Sequence, residues 1–145
     1  MLCPALRRLH RPPLRIPEIL SEKAEELSDW VTEGDLRLLA PDLIFAEVGN
    51  IIWKKHRRKE LIRSEAEEIV DAIVSVPVEI ETSKALLPFS VDLGLAYGIT
   101  VYDAIYVSLA KIHQTILVTA DKKLVEIMGK TDFKKHVAWL GGSIR

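Results

Sequence analysis

Apolar residues recur along this chain at two spacings, one typical of helices and one of strands. Steps of three and four residues predict amphipathic helices, and short β-branched or alternating runs predict strands. The predicted helices cover residues 17–33, 43–61, a stretch beginning at Ser64, 83–97, 101–113 and a segment after Asp121. The predicted strands cover residues 36–40, 78–81, 115–119 and 136–140. This alternation predicts an α/β fold with three α/β/α layers and a mostly parallel central sheet.

Short polar side chains stand where several predicted helices begin. Asp42 precedes the helix over 43–61 as a predicted N-cap. Ser64 and Glu67 have the spacing of a capping box, and so do Thr100 and Asp103. These local signals predict the starts of three helices.

Composition restricts the chain to a single globular domain. It has 145 residues, of which 48% are hydrophobic and 28% charged, a balance typical of a protein with a packed core. No apolar run approaches the roughly 18 residues that a membrane span requires. The one cysteine forms no internal disulfide, so we expect a cytoplasmic protein with no membrane partner.

The first seventeen residues differ from the rest. They contain four arginines, four prolines and no acid, which predicts a basic arm over residues 1–17 before a domain over 18–145. Three interpretations stay open: a plain arm or misassigned start, a contact to nucleic-acid phosphates, and a mitochondrial-type targeting segment.

One carboxylate falls in an apolar helix. Glu47 lies among apolar neighbours, and Asn50, three positions later, shares its helix face. An unpaired buried carboxylate is costly, so this face is predicted to line a cleft. The alternative is a buried acid bonded to a local donor.

Two further acids stand at predicted helix starts. Asp103 opens one helix, and Asp121 follows the strand that ends at Thr119. In a parallel sheet, strand ends that lead into helices face one edge, where ligands gather. Together with Glu47, the two acids would form an oxygen-only site that suits Mg²⁺ or Mn²⁺. Taken singly, each acid is better explained as a helix cap, and only their joint placement favours a metal site.

Three segments, in this order, carry a resemblance to a known family: FAEVGNIIWKK (45–55), VYDAIYVSLA (101–110) and ILVTADKKL (116–124). They resemble the PIN-domain ribonucleases, specifically the VapC-type toxins of toxin–antitoxin pairs, over residues 21–140. The resemblance implies that Glu47, Asp103 and Asp121 are three of four catalytic acids that hold Mg²⁺ or Mn²⁺. It also implies supporting roles for Thr119 and Asn50.

The chain departs from the family's pattern at its start. Members open with an apolar strand that ends in a V-D-A-like or V-D-T-like segment, whose Asp is the fourth acid. Here no acid precedes Glu18. Three explanations are open: the start of the chain has been replaced, the protein is a degenerate member of the family, or a later acid such as Glu18 takes the place of the missing Asp. The third is the weakest, because Glu18 lies at a predicted helix start.

The resemblance implies an endoribonuclease that hydrolyses RNA with metal assistance and pairs with a VapB-type antitoxin. The basic run at the end of the second predicted helix would guide the RNA backbone, or is simply a solvated helix end; its candidate residues are Lys54, Lys55, Arg57 and Arg58. Exposed apolar residues on the second and third predicted helices would suit a homodimer. The alternative function is a non-catalytic PIN-like module that keeps antitoxin or RNA binding. A phospho-receiver domain is disfavoured, because the expected adjacent acids and lysine are missing.

Overall fold

The computed structural model describes residues 38–141. The basic arm, Glu18 and the helix predicted over 17–33 lie outside this range. In chain order the elements are β1 (Leu39–Pro41), α1 (Leu43–Arg57), α2 (Arg63–Val74), β2 (Glu79–Glu81), α3 (Ser83–Tyr97), α4 (Val101–Ile112), β3 (Leu117–Thr119), α5 (Lys122–Met128), a 3-10 turn (Lys134–His136) and β4 (Val137–Trp139). Each predicted strand and helix that falls within residues 38–141 is present, with shorter strands than expected.

The strands pair in parallel, as predicted. In one pair Ala40 of β1 lies opposite Ile80 of β2, and in the other Val118 of β3 lies opposite Ala138 of β4. Helices α1 and α2 connect the first pair, and α5 connects the second. Within residues 38–141 the strands form two separate two-stranded sheets.

Helix α4 forms the centre of the described core. Seven consecutive residues, 104–110, are buried, and the helix contacts both β1 and β3. A helix that is apolar on all sides belongs in a protein interior. The largest buried cluster comprises Leu93, Ala104, Tyr106, Val107, Ala110, Leu117, Leu124, Met128 and Val137. Helix α4 therefore joins the two sheets into one packed body.

Helix α3 packs along α4. Pro88 lies inside α3, and the helix continues past it to Tyr97. Gly98 then ends it with a φ of 66°, a left-handed conformation that glycine adopts readily at the end of a helix. Between the two helices Ser90 and Ser108 are both fully buried, and their hydroxyl oxygens are 2.9 Å apart. Ser90 also donates to the Leu86 carbonyl at 2.8 Å, so Ser108 must be the donor to Ser90.

Helices α1 and α2 pack loosely against the remainder. Ile52 is the buried residue of α1, and none of the residues of α2 is buried. A groove of about 390 Å³ runs between them, lined partly by Ile52, Trp53 and Val70. The Trp53 side chain is 53% exposed and Val74 is 72% exposed. The apolar exposure predicted for these two helices is therefore confirmed.

Two predicted helix caps differ from the structure. Asp42 occupies the N-cap position of α1 but makes no capping bond there, because its carboxylate instead accepts hydrogen bonds from the Ser83 hydroxyl and backbone N–H. Helix α2 begins at Arg63 and not after Ser64. The Glu65 carboxylate accepts a bond from the Ile62 N–H at 2.8 Å, so the box predicted at Ser64 is wrong by two residues.

None of the described helices is individually long and apolar enough to cross a membrane. Helices α3 and α4 meet the length and composition test only as a pair, and that pair is bent by 116°.

Candidate functional site

Glu47 lies in the second turn of α1 and is only partly buried. Its carboxylate accepts a short hydrogen bond from the Tyr106 hydroxyl of α4. Asn50, on the same side of α1, is exposed. Both interpretations of Glu47 therefore stay open. The hydrogen bond fits an acid held by a donor, and the partial exposure fits a helix face that lines a cleft.

Asp103 lies in the first turn of α4, as the sequence predicts. Thr100 is the N-cap residue, and its hydroxyl oxygen accepts a bond from the Asp103 N–H at 3.1 Å. The same hydroxyl donates to Asp103 Oδ2 at 2.7 Å. This contact orients the carboxylate at the positive end of the helix dipole.

Asp121 follows β3 at the start of α5. Asp121 Oδ1 accepts from the Leu124 N–H at 3.0 Å, so the predicted cap is confirmed. Thr119 is fully buried, and its hydroxyl oxygen accepts from the Asp121 N–H at 3.1 Å. The Thr119 side chain therefore shapes the turn that carries Asp121.

The three acids match a divalent ion in donor type but are not gathered into one group. Among the described contacts, each acid accepts a hydrogen bond with one carboxylate oxygen. The second carboxylate oxygen is the one that would bind a metal ion. Carboxylate oxygens are the ligands that Mg²⁺ and Mn²⁺ prefer. However, no three His, Cys, Asp or Glu side chains within residues 38–141 stand close enough to hold one metal ion.

The basic residues lie at the C-terminal end of α1. Lys54, Arg57 and Arg58 are exposed, and Lys55 is half-buried. Lys55 and Arg58 approach the Glu60 carboxylate at 3.4 and 4.0 Å. These ion pairs are exposed, so each contributes about 1 kcal/mol or less. Their charges also complement the helix dipole.

Arg57 makes a different contact. Its guanidinium lies 5.1 Å from the centroid of the Trp53 ring, within the range of a cation–π interaction. The basic end of α1 thus continues into the groove between α1 and α2.

Two polar contacts between distant parts of the chain were not predicted from the sequence. Tyr106 is separated from Glu47 by 59 positions, and Asp42 from Ser83 by 41. The Ser83 hydroxyl, and then its backbone N–H, lower the pKa of the Asp42 carboxyl from its usual 3.8. The available signal for Tyr106 was its place three residues after Asp103, on the same face of α4.

Comparison with known proteins identifies the family of this chain. Residues 18–130 match the PIN domain family. The chain belongs to that family. Ribonuclease VapC3 of Pyrobaculum aerophilum is 34% identical over 115 residues, which cover 78% of this chain and 85% of that protein. The predicted resemblance to a VapC-type PIN-domain ribonuclease is therefore confirmed, and so is the α/β fold class.

Membership of the PIN domain family does not test the site. The matched region includes Glu47, Asp103 and Asp121, and it begins at Glu18. The assignment of catalytic and metal-binding roles to these residues stays a prediction, as does the division into an arm over 1–17 and a domain over 18–145.

Proposed function

We propose that this PIN-domain protein is a Mg²⁺- or Mn²⁺-dependent endoribonuclease and the toxin of a VapBC-type toxin–antitoxin pair. The observation that carries the proposal is its similarity to Ribonuclease VapC3 over most of both chains. Three acids in the segments that resemble the family's motifs support it, because their oxygen donors suit a hard divalent ion.

In this proposal Glu47, Asp103 and Asp121 would hold the metal. When bound, such an ion supplies an activated water nucleophile and neutralises charge on the phosphate. The protein's own contribution is to orient the carboxylates. Thr100 holds Asp103 through its hydroxyl, and the Leu124 N–H holds Asp121. Fixed ligands lose less conformational entropy when an ion binds.

The exposed cations of α1 would receive the RNA backbone, with Asn50 nearby on the same helix. Lys54, Arg57 and Arg58 are exposed to solvent, so phosphates can reach them. Binding of this kind weakens as salt rises, because counterions are released from the nucleic acid.

The groove between α1 and α2 is the proposed seat of a VapB-type antitoxin. Its apolar lining and the half-exposed Trp53 suit the apolar face of an amphipathic helix. Homodimer formation and a cytoplasmic location are further parts of the proposal, supported by exposed apolar residues on α1 and α2 and by the single cysteine.

Cleavage of RNA by the purified full chain tests the proposed activity. We expect cleavage with Mn²⁺ or Mg²⁺ that stops when a chelator is added. Asp103→Asn should reduce it by about 100-fold or more, because even outer partners of metal ligands are worth 10–100-fold. Asp92→Asn, which changes an exposed acid on α3, is the matched control and should leave cleavage unchanged.

A second function is favoured by one observation. Residues 38–141 do not gather three acids into a metal site, which fits a non-catalytic PIN-like module that binds antitoxin or RNA. Metal-independent RNA binding with no cleavage in Mg²⁺ or Mn²⁺ would support this alternative and reject the enzyme.

A further inference from the structure

Helix α1 carries Glu47 but offers it little support of its own. Ile52 is the buried residue of this helix, and Phe45 and Trp53 on either side of Glu47 are about half exposed. A glutamate side chain has several rotatable bonds, and fixing them costs conformational entropy. A catalytic glutamate on such a helix therefore needs an external contact to hold it in one position.

Tyr106 provides that contact from the buried centre of the described structure. Its side chain is 1% exposed and belongs to the main buried cluster with Val107 and Leu117. Packing on this scale locks an aromatic ring in one rotamer. The hydroxyl at the end of the ring is thus a fixed donor, and it donates to Glu47 Oε2.

The same tyrosine connects two of the three candidate acids. Tyr106 and Asp103 are three residues apart on α4 and so lie on one face of it. The hydrogen bond therefore fixes the Glu47 carboxylate relative to the start of α4, where Thr100 holds Asp103. Within the described part of the chain this bond uses Oε2 of Glu47, and Oε1 is the oxygen that would bind a metal ion.

We propose that Tyr106 is a positioning residue for Glu47: its hydroxyl holds the carboxylate of α1 in register with the N-terminus of α4. The effect of this role on RNA cleavage rests on the proposed function. The hydrogen bond itself can be tested without assuming that function.

The test compares Tyr106→Phe with Tyr102→Phe in the full chain. Phenylalanine keeps the buried ring and removes only the hydroxyl. Tyr102 is on the same helix but 63% exposed, so its variant is a matched control. In metal-free protein labelled with ¹³C-glutamate, the Glu47 carboxyl signal is assigned by its loss in Glu47→Gln. We expect Tyr106→Phe to move this signal towards those of exposed glutamates, and Tyr102→Phe to leave it in place.

Calorimetry then measures Mn²⁺ binding to the same proteins. We expect the dissociation constant to rise about tenfold in Tyr106→Phe, the lower end of the range for partners of metal ligands, and to stay unchanged in Tyr102→Phe. An unmoved carboxyl signal in Tyr106→Phe would overturn the positioning role. A moved signal in a protein that binds no Mn²⁺ at all would uphold the contact and reject the proposed metal-dependent function.

A measurement on the unmodified protein covers the case in which Tyr106→Phe does not fold. The hydrogen bond predicts a slowly exchanging Tyr106 hydroxyl proton with a nuclear Overhauser contact to the Glu47 side chain. Rapid exchange of that proton with water would overturn the proposal.

Discussion

Asp121 has two separable roles in this account, as a helix cap and as a metal ligand, and two substitutions distinguish them. Asparagine keeps the oxygen that accepts from the Leu124 N–H at 3.0 Å but removes the charge. Alanine removes both. Because asparagine and aspartate are equally good caps, Asp121→Asn should lose only the charge–dipole contribution, about 0.3–1 kcal/mol and near the lower limit at this exposed site. Asp121→Ala should lose about 1 kcal/mol more.

Urea unfolding with and without Mn²⁺ measures both roles. At a Mn²⁺ concentration 100 times the dissociation constant, the wild-type chain should gain about 2.7 kcal/mol in free energy of unfolding. Both variants should lose most of this gain, because each lacks a proposed ligand. The reasoning is refuted if Asp121→Asn is stabilised by Mn²⁺ as strongly as the wild type, or if metal-free Asp121→Ala is no less stable than Asp121→Asn.

Two further predictions concern contacts within the fold. Because hydrogen bonds from Ser83 lower the pKa of Asp42 below 3.8, the ionised carboxylate stabilises the fold fully above that pH, and this stabilisation is lost as the pH falls below it. Thermal melting from pH 7 to pH 2 should therefore show a smaller loss at low pH in Asp42→Asn than in the wild type; equal losses would contradict this. Ser90→Ala leaves the buried Ser108 hydroxyl without its acceptor and should cost about 1–3 kcal/mol in chemical denaturation. Ser90→Ala combined with Ser108→Ala should recover part of that cost, and strict additivity would argue against the pair.

Local signals predicted the elements well. The uncharged β-branched run before Asp121 became β3, and Thr100 and Asp121 cap the helices that they were expected to cap. Each of these features depends on residues within a few positions of one another. The error at Ser64 is also local, since Glu65 accepts the N–H bond at this helix start, whereas Glu67 accepts from the Arg63 side chain.

Contacts between residues far apart in the sequence could not be predicted from local signals. Tyr106 shares a helix face with Asp103, but nothing local pairs it with Glu47. Likewise, nothing local pairs Ser83 with Asp42, because both contacts depend on how distant elements pack. The expected meeting of three acids assumed one continuous sheet edge. Within residues 38–141 the strands form two separate pairs, and the three acids do not form one group.

The central claim is that Glu47, Asp103 and Asp121 line one divalent-metal site, which requires metal binding to draw together three carboxylates that the described structure leaves apart. Anomalous diffraction from crystals of the full chain soaked in Mn²⁺ tests it directly. The account predicts a manganese peak with oxygens of these three carboxylates at about 2.0–2.2 Å, close to the distances of the similarly small Mg²⁺ ion. Ordered density for all three side chains with no peak between them would contradict it.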